Sequence, residues 1–171
     1  VFLDGDFSAV HHLTIRPDPE AAFDRATIAG IAGCDPIFRM AGAGFVTLQD
    51  LDIVRNTTNC NHLIVITYEA GQNNNITIER CRIGSIWSTG TPGWDYLKVE
   101  ACYDMIVRNC IFFSRVPGLF ARGIEVSIFT DPANSIRLYN NVVADAKLSG
   151  IVMHDITTGT VLLLNNVVSN H

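Results

Sequence analysis

Apolar and polar positions along this chain recur in a fixed order. Five eight-residue segments begin at Val46, Ile76, Met105, Ile136 and Val161, with starts 30, 29, 31 and 25 positions apart. Each is apolar at its first, third and eighth positions and polar at its fifth, while the sixth is Leu51, Cys81, Cys110, Asn141 and Asn166 in turn. A second pattern lies between these copies: Ile37-Phe38-Arg39-Met40, Ile64-Val65-Ile66-Thr67, Leu97-Lys98-Val99-Glu100, Ile124-Glu125-Val126-Ser127 and Ile151-Val152-Met153-His154. Alternation of apolar and polar residues is the mark of a strand with one buried face. No segment sustains the i, i+3, i+4, i+7 spacing of an amphipathic helix.

A period of about 20 to 50 residues with the same strand in every repeat indicates a solenoid, whose units bury their apolar side only against one another. The pattern predicts an all-β fold, a single-stranded right-handed parallel β-helix of about five to six coils of roughly 29 residues. Residues 1–171 read as one such domain, part of a longer chain. Like residues then stack at roughly 4.8 Å. Asn141 over Asn166 predicts an asparagine ladder, and Asn109, Asn140 and Asn165 a second one beside it.

The opening Val1-Phe2-Leu3-Asp4-Gly5-Asp6-Phe7, followed by Leu13-Thr14-Ile15 and Ala26-Thr27-Ile28-Ala29-Gly30, looks like a first coil. With the repeats it resembles the right-handed parallel β-helix superfamily with the pectate-lyase-like fold, and its start is similar to that of the alginate- and chondroitin-lyase branch. The likeness is one of architecture and covers nearly the whole chain; it identifies a fold rather than a reaction. It implies a secreted or cell-surface protein that binds or processes a polysaccharide, an acidic glycan being favoured. The paired-aspartate, Gly-His-Gly and Arg-x-Lys signatures of polygalacturonases are absent, as is the Arg-x-Pro-x-x-Arg of pectate lyases. The Asn…Glu-x-Glu…Lys arrangement of the alginate-lyase branch is not recognisable either.

Composition narrows the picture further. An apolar fraction of 48% suits a long continuous interior, and the net charge of −5 without a basic cluster argues against nucleic acid as partner. No apolar run approaches the roughly 18 residues of a membrane span. The five cysteines form no disulfide framework: Cys81 and Cys110 share an inward column as small apolar residues, and no Cys/His spacing suggests zinc.

Candidate chemistry falls on the outward side of the second strand, where Lys98, Glu100, Glu125, Ser127 and His154 lie on three successive rungs. Lys98 is expected beside Glu125 and Glu100 beside Ser127. By resemblance to lyases of this fold, Lys98 would be the base that removes a uronate C5 proton. A Ca²⁺ ion held by Glu100, Glu125 and Asp95 or Asp155 would neutralise the carboxylate. For hydrolysis, Glu100 and Glu125 would act as an acid–base pair; a surface ion pair with no catalytic role is the plainer reading. Trp87 and Trp94 fall in, and Tyr96 directly follows, the Gly-, Pro-, Ser- and Thr-rich stretch from Ser85 to Asp95, expected to project as a loop and offer rings for sugar stacking.

An alternative reading has a different origin. Outward positions of the later copies turn apolar at Ile106, Ile111, Val142, Leu162, Leu164 and Val167, and nothing amphipathic covers the coil ends. Exposed apolar strips mark contact surfaces. A structural module of a fibre, sheath or surface filament, self-associating through its ends and the Ile106/Val142/Leu162/Leu164 face, would use both features.

Overall fold

The computed structural model describes residues 2–6, 12–18, 25–30, 35–55, 61–67, 73–86, 93–115, 120–127 and 131–169, with side chains from residue 12 onward. The chain winds through three stacks of strands, and every strand pairing is parallel. The first face holds β1 (Phe2–Asp6), the first half of β4 (Phe38–Gln49), β6 (His62–Thr67), β9 (Gly93–Val99), β12 (Phe120–Ser127) and β15 (Ala146–His154). The second holds β2 (Leu13–Ile15), the second half of β4, β7 (Asn74–Glu79), β10 (Met105–Arg108), β13 (Ser135–Tyr139) and β16 (Thr160–Leu164). The third holds β3 (Ala26–Gly30), β5 (Leu51–Arg55), β8 (Arg82–Ser85), β11 (Ile111–Ser114), β14 (Val142–Ala144) and β17 (Val167–Ser169). This is an all-β parallel solenoid, without a helix among the described residues.

The register follows the repeat. Leu48 pairs with Ile78, Ile78 with Val107, Val107 with Leu138 and Leu138 with Leu163, one file across successive coils. The first, third and eighth positions are fully buried in the first four copies, as at Val46, Leu48 and Ile53. In the last copy Leu163 and Val168 are 38% and 48% exposed. That forgoes about 1 kcal/mol of burial per side chain.

The fifth position explains its own polarity. Asp50, Arg80, Asn109, Asn140 and Asn165 all adopt φ between 52° and 56°, the left-handed corner that turns the chain from the second face to the third. Asn and Asp enter that region more easily than other side chains because they hydrogen-bond locally. Arg80 does so with its guanidinium forked onto Asp50, Nε to Oδ1 at 2.8 Å and Nη2 to Oδ2 at 2.9 Å. The ladder expected along this column reduces to one contact, Asn140 Nδ2 to Asn109 Oδ1 at 3.3 Å.

The sixth column carries the real ladder. Asn141 Nδ2 donates to Val107 O and to Asn166 Oδ1, each at 3.0 Å, and Asn166 Nδ2 donates to Leu138 O at 2.8 Å. Where the residue is Cys, the thiol reaches the matching carbonyl: Cys110 Sγ to Ile78 O and Cys81 Sγ to Leu48 O, both 3.6 Å. Each therefore bonds the third-position carbonyl of the coil before it. Cys81, Cys102 and Cys110 are buried free thiols. The hydrogen bond to Cys81 and burial hold the Cys110 thiol far above its ordinary pKa, and burial does the same to Cys102.

One register differs from the sequence expectation. Phe38, not Ile37, pairs with Ile64, so Arg39 pairs with Val65. The larger Phe38 takes the core column, and a one-residue shift flips every side chain to the other face. Arg39 consequently points outward, into line with Lys98.

Candidate functional site

The first face presents three outward columns. Arg39, Val65, Lys98, Glu125 and Val152 are successive Cα partners; Ser127 faces His154; and His62, Asp95, Arg122 and Ser149 form a third file three residues upstream of the first. Side chains on one face of neighbouring parallel strands are close enough to touch. They join here into a line that crosses the coils.

The line starts at Asp35, whose Oδ1 accepts the His62 backbone N–H at 2.9 Å and lies 3.4 Å from His62 Nδ1. His62 Nε2 is 3.4 Å from Asp95 Oδ2, and Arg122 Nε donates to Asp95 Oδ1 at 2.6 Å. Arg122 Nη1 pairs with Glu125 Oε2 at 2.6 Å. Glu125 Oε1 is 2.9 Å from His154 Nε2, and His154 Nδ1 is 3.0 Å from Asp155 Oδ2. Asp95 and Glu125 are almost wholly buried beneath these partners. A buried charge needs such pairing and hydrogen bonding to be tolerable.

Both imidazoles feel the acids around them. Burial alone would lower the His62 pKa, but the hydrogen bond and charge of Asp95, with Asp35, outweigh it and hold the value above 6.5. Hydrogen bonds to Asp155 and Glu125 raise His154 likewise.

Beside the line, Lys98 Nζ donates to Glu100 Oε1 at 2.7 Å and Thr67 Oγ1 to Glu100 Oε2 at 2.9 Å. Asp35, Pro36, Arg39, His62, Val65, Thr67, Lys98 and Glu100 enclose a shallow pocket of about 180 Å³. A second depression, about 240 Å³, is lined by Gly93, Trp94, Ala121, Lys147 and Leu148. Trp94 is 57% exposed, and the Arg122 guanidinium lies 5.9 Å from its ring centroid, tying that depression to the line.

The candidate residues thus share one face, with different partners than expected. Lys98 is the register neighbour of Glu125 but bonds Glu100, its own strand mate; Glu125 turns to Arg122 and His154. Glu100 and Glu125 each hold two partners of their own. The oxygen ligands considered for Ca²⁺ are engaged in the same way, and no group of three or more His, Cys, Asp or Glu able to hold a metal ion occurs among the described residues. Ser127 is buried beside His154, whose two ring nitrogens go to carboxylates.

The aromatic expectation needs correction. Trp94, Asp95 and Tyr96 belong to strand β9, not to a projecting loop. Tyr96 is fully buried, its ring 4.5 Å from Phe120 and 6.4 Å from Phe112 by centroids, so it is a core residue and offers no sugar platform. Burial also pushes its phenol pKa upward. Trp87 lies outside the described residues. His62 and Arg122 were not singled out in the sequence, although each sits two positions before the first apolar residue of a second strand. Strict alternation from the inward Ile64 and Ile124 marks Leu63 and Gly123 as the outward positions, so the period alone does not find either residue.

Comparison with family models, curated proteins and solved structures finds no match to the chain. No helix among the described residues is long and apolar enough to cross a membrane.

Proposed function

We propose that this chain is an extracellular, pectate-lyase-like β-helix protein whose first face binds or processes a polysaccharide. The observation that carries the reading is the line from Asp35 to Asp155, which crosses successive coils in one direction with Trp94 at its edge. A polymer laid along it would meet a new set of donors and acceptors at each rung, about 4.8 Å apart. Binding has the stronger support, since Lys98, Glu100, Glu125 and His154, the residues that would carry any chemistry, are each held by a neighbour. A panel of polysaccharides should contain one that raises the melting temperature of the chain. Lys98→Ala should abolish any turnover without unfolding it. Absence of a shift with every polymer would remove the reading.

A second reading, a structural module of a filament or sheath, is favoured by the exposed Ile111, Val142, Leu162, Leu164 and Val167. It requires concentration-dependent association in sedimentation that Leu164→Glu weakens. A monodisperse monomer at high concentration would exclude it.

A further inference from the structure

We infer that the polymer taken by the first face is a neutral glycan, not a polyanion. This rests on the carbohydrate reading above and specifies its substrate class. A polyuronate needs an excess of positive charge along its track, because each sugar brings a carboxylate that must be neutralised as it is desolvated. The described face offers at most one such charge, with both histidines protonated. Its acids are Asp35, Asp95, Glu100, Glu125 and Asp155; its permanent cations are Arg39, Lys98 and Arg122, with Lys147 at the rim of the Trp94 depression. Five acids against four cations leave the face close to balance, one charge to either side as the two histidines titrate.

The pairing is as telling as the sum. Arg122 is divided between Asp95 and Glu125 at 2.6 Å each, and Lys98 sits 2.7 Å from Glu100. To grip a sugar carboxylate, either cation would have to leave an acid on its own face, and in the case of Arg122 strand two buried carboxylates. Sugar hydroxyls make no such demand. They donate to carboxylate oxygens and accept from guanidinium and ammonium N–H groups already in place. Trp94 adds the apolar half of the recognition: its ring lies in a depression walled by Leu148, 68% exposed, Gly93 and Ala121, a surface for the C–H face of a pyranose.

The test is calorimetric titration of the full chain with neutral polymers (galactomannan, xyloglucan, mixed-linkage β-glucan), acidic ones (alginate, polygalacturonate) and chitosan, at low and high salt. At least one neutral polymer should bind with an affinity indifferent to salt, since no net charge is being screened. Trp94→Ala should weaken that binding about tenfold, the loss of one stacked ring. Binding of acidic polymers alone, collapsing in salt, would overturn the inference and leave the carbohydrate reading standing. Chitosan as sole ligand would overturn it too, in favour of an acidic track. If no polymer binds, the carbohydrate reading fails and this inference fails with it.

Discussion

Replacing Asn141 by alanine tests the mechanism that locks one coil to the next. The side chain is fully buried and makes three bonds: its Oδ1 accepts the Cys110 backbone N–H at 3.0 Å, and its Nδ2 donates to Val107 O and Asn166 Oδ1. Each bond contributes about 1 kcal/mol net, and an orphaned buried backbone group costs about 1 to 3 kcal/mol. Asn141→Ala strands the Cys110 N–H and removes the side-chain bond to the Val107 carbonyl. Asn166 keeps a partner, since its Oδ1 also accepts the Asn141 backbone N–H at 3.1 Å. The expected loss is therefore about 3 to 5 kcal/mol, a large share of the about 5 to 15 kcal/mol that holds a domain folded. Asn141→Cys should cost only about half as much, because a thiol at this column reaches the same carbonyl in the two coils below. Urea unfolding followed by circular dichroism, with the slope unchanged among variants, measures both. A loss under about 1 kcal/mol for the alanine variant, or a cysteine variant no better than alanine, would refute the column mechanism.

Other outcomes follow from the same geometry. Arg122→Ala leaves Asp95 and Glu125 buried without their shared cation and should cost about 2 to 4 kcal/mol in denaturant unfolding, below a fully enclosed pair because Arg122 is partly exposed; Arg122→Lys should recover part of that. His62 and His154 bind protons more tightly folded than unfolded, so their stabilisation is complete below 6.5 and fades as pH rises through their raised folded values. The melting temperature should fall between about pH 6 and 8, and His62→Gln with His154→Gln should flatten that slope; a wild-type profile that rises would contradict the assignment. Asp50 has the opposite sign: the Arg80 hydrogen bond lowers its pKa, so its contribution holds above 3.8 and is lost on acidification, a loss that Arg80→Ala should remove. Cys81, Cys102 and Cys110 should resist a thiol reagent until denaturant is added, counted by mass spectrometry; rapid labelling of any of the three would place it outside the core.

The fold was legible because a solenoid writes its contacts into the spacing of its residues. Ile78 pairs with Leu48 on one side and Val107 on the other, and a thirty-residue period is enough to find all three. What escaped were features set by backbone conformation and by side-chain reach. The polarity at position five was visible, yet its cause, a left-handed corner, was not, so Asn109, Asn140 and Asn165 read as a ladder. Tyr96 was hidden by composition: a Gly- and Pro-rich approach suggested a loop, while its ring is drawn inside by Phe112 and Phe120. At the site, the pattern placed Lys98 opposite Glu125 correctly, but register fixes Cα positions and not the partners of long side chains. Arg122, which reaches both Asp95 and Glu125, decided those.

Strand β4 has a mechanical consequence. It runs twelve residues, bent at Gly42 and Phe45 where φ is 65° and 54°, and pairs with β6 through one half and β7 through the other, whereas in later coils separate strands serve the two faces. Two walls of the tube are joined by paired strand at that level, whereas non-strand residues separate them farther along. Compliance should therefore increase along the axis toward β15 and β16, so that the Asp35 and His62 end of the line is held stiffly while the His154 end can breathe.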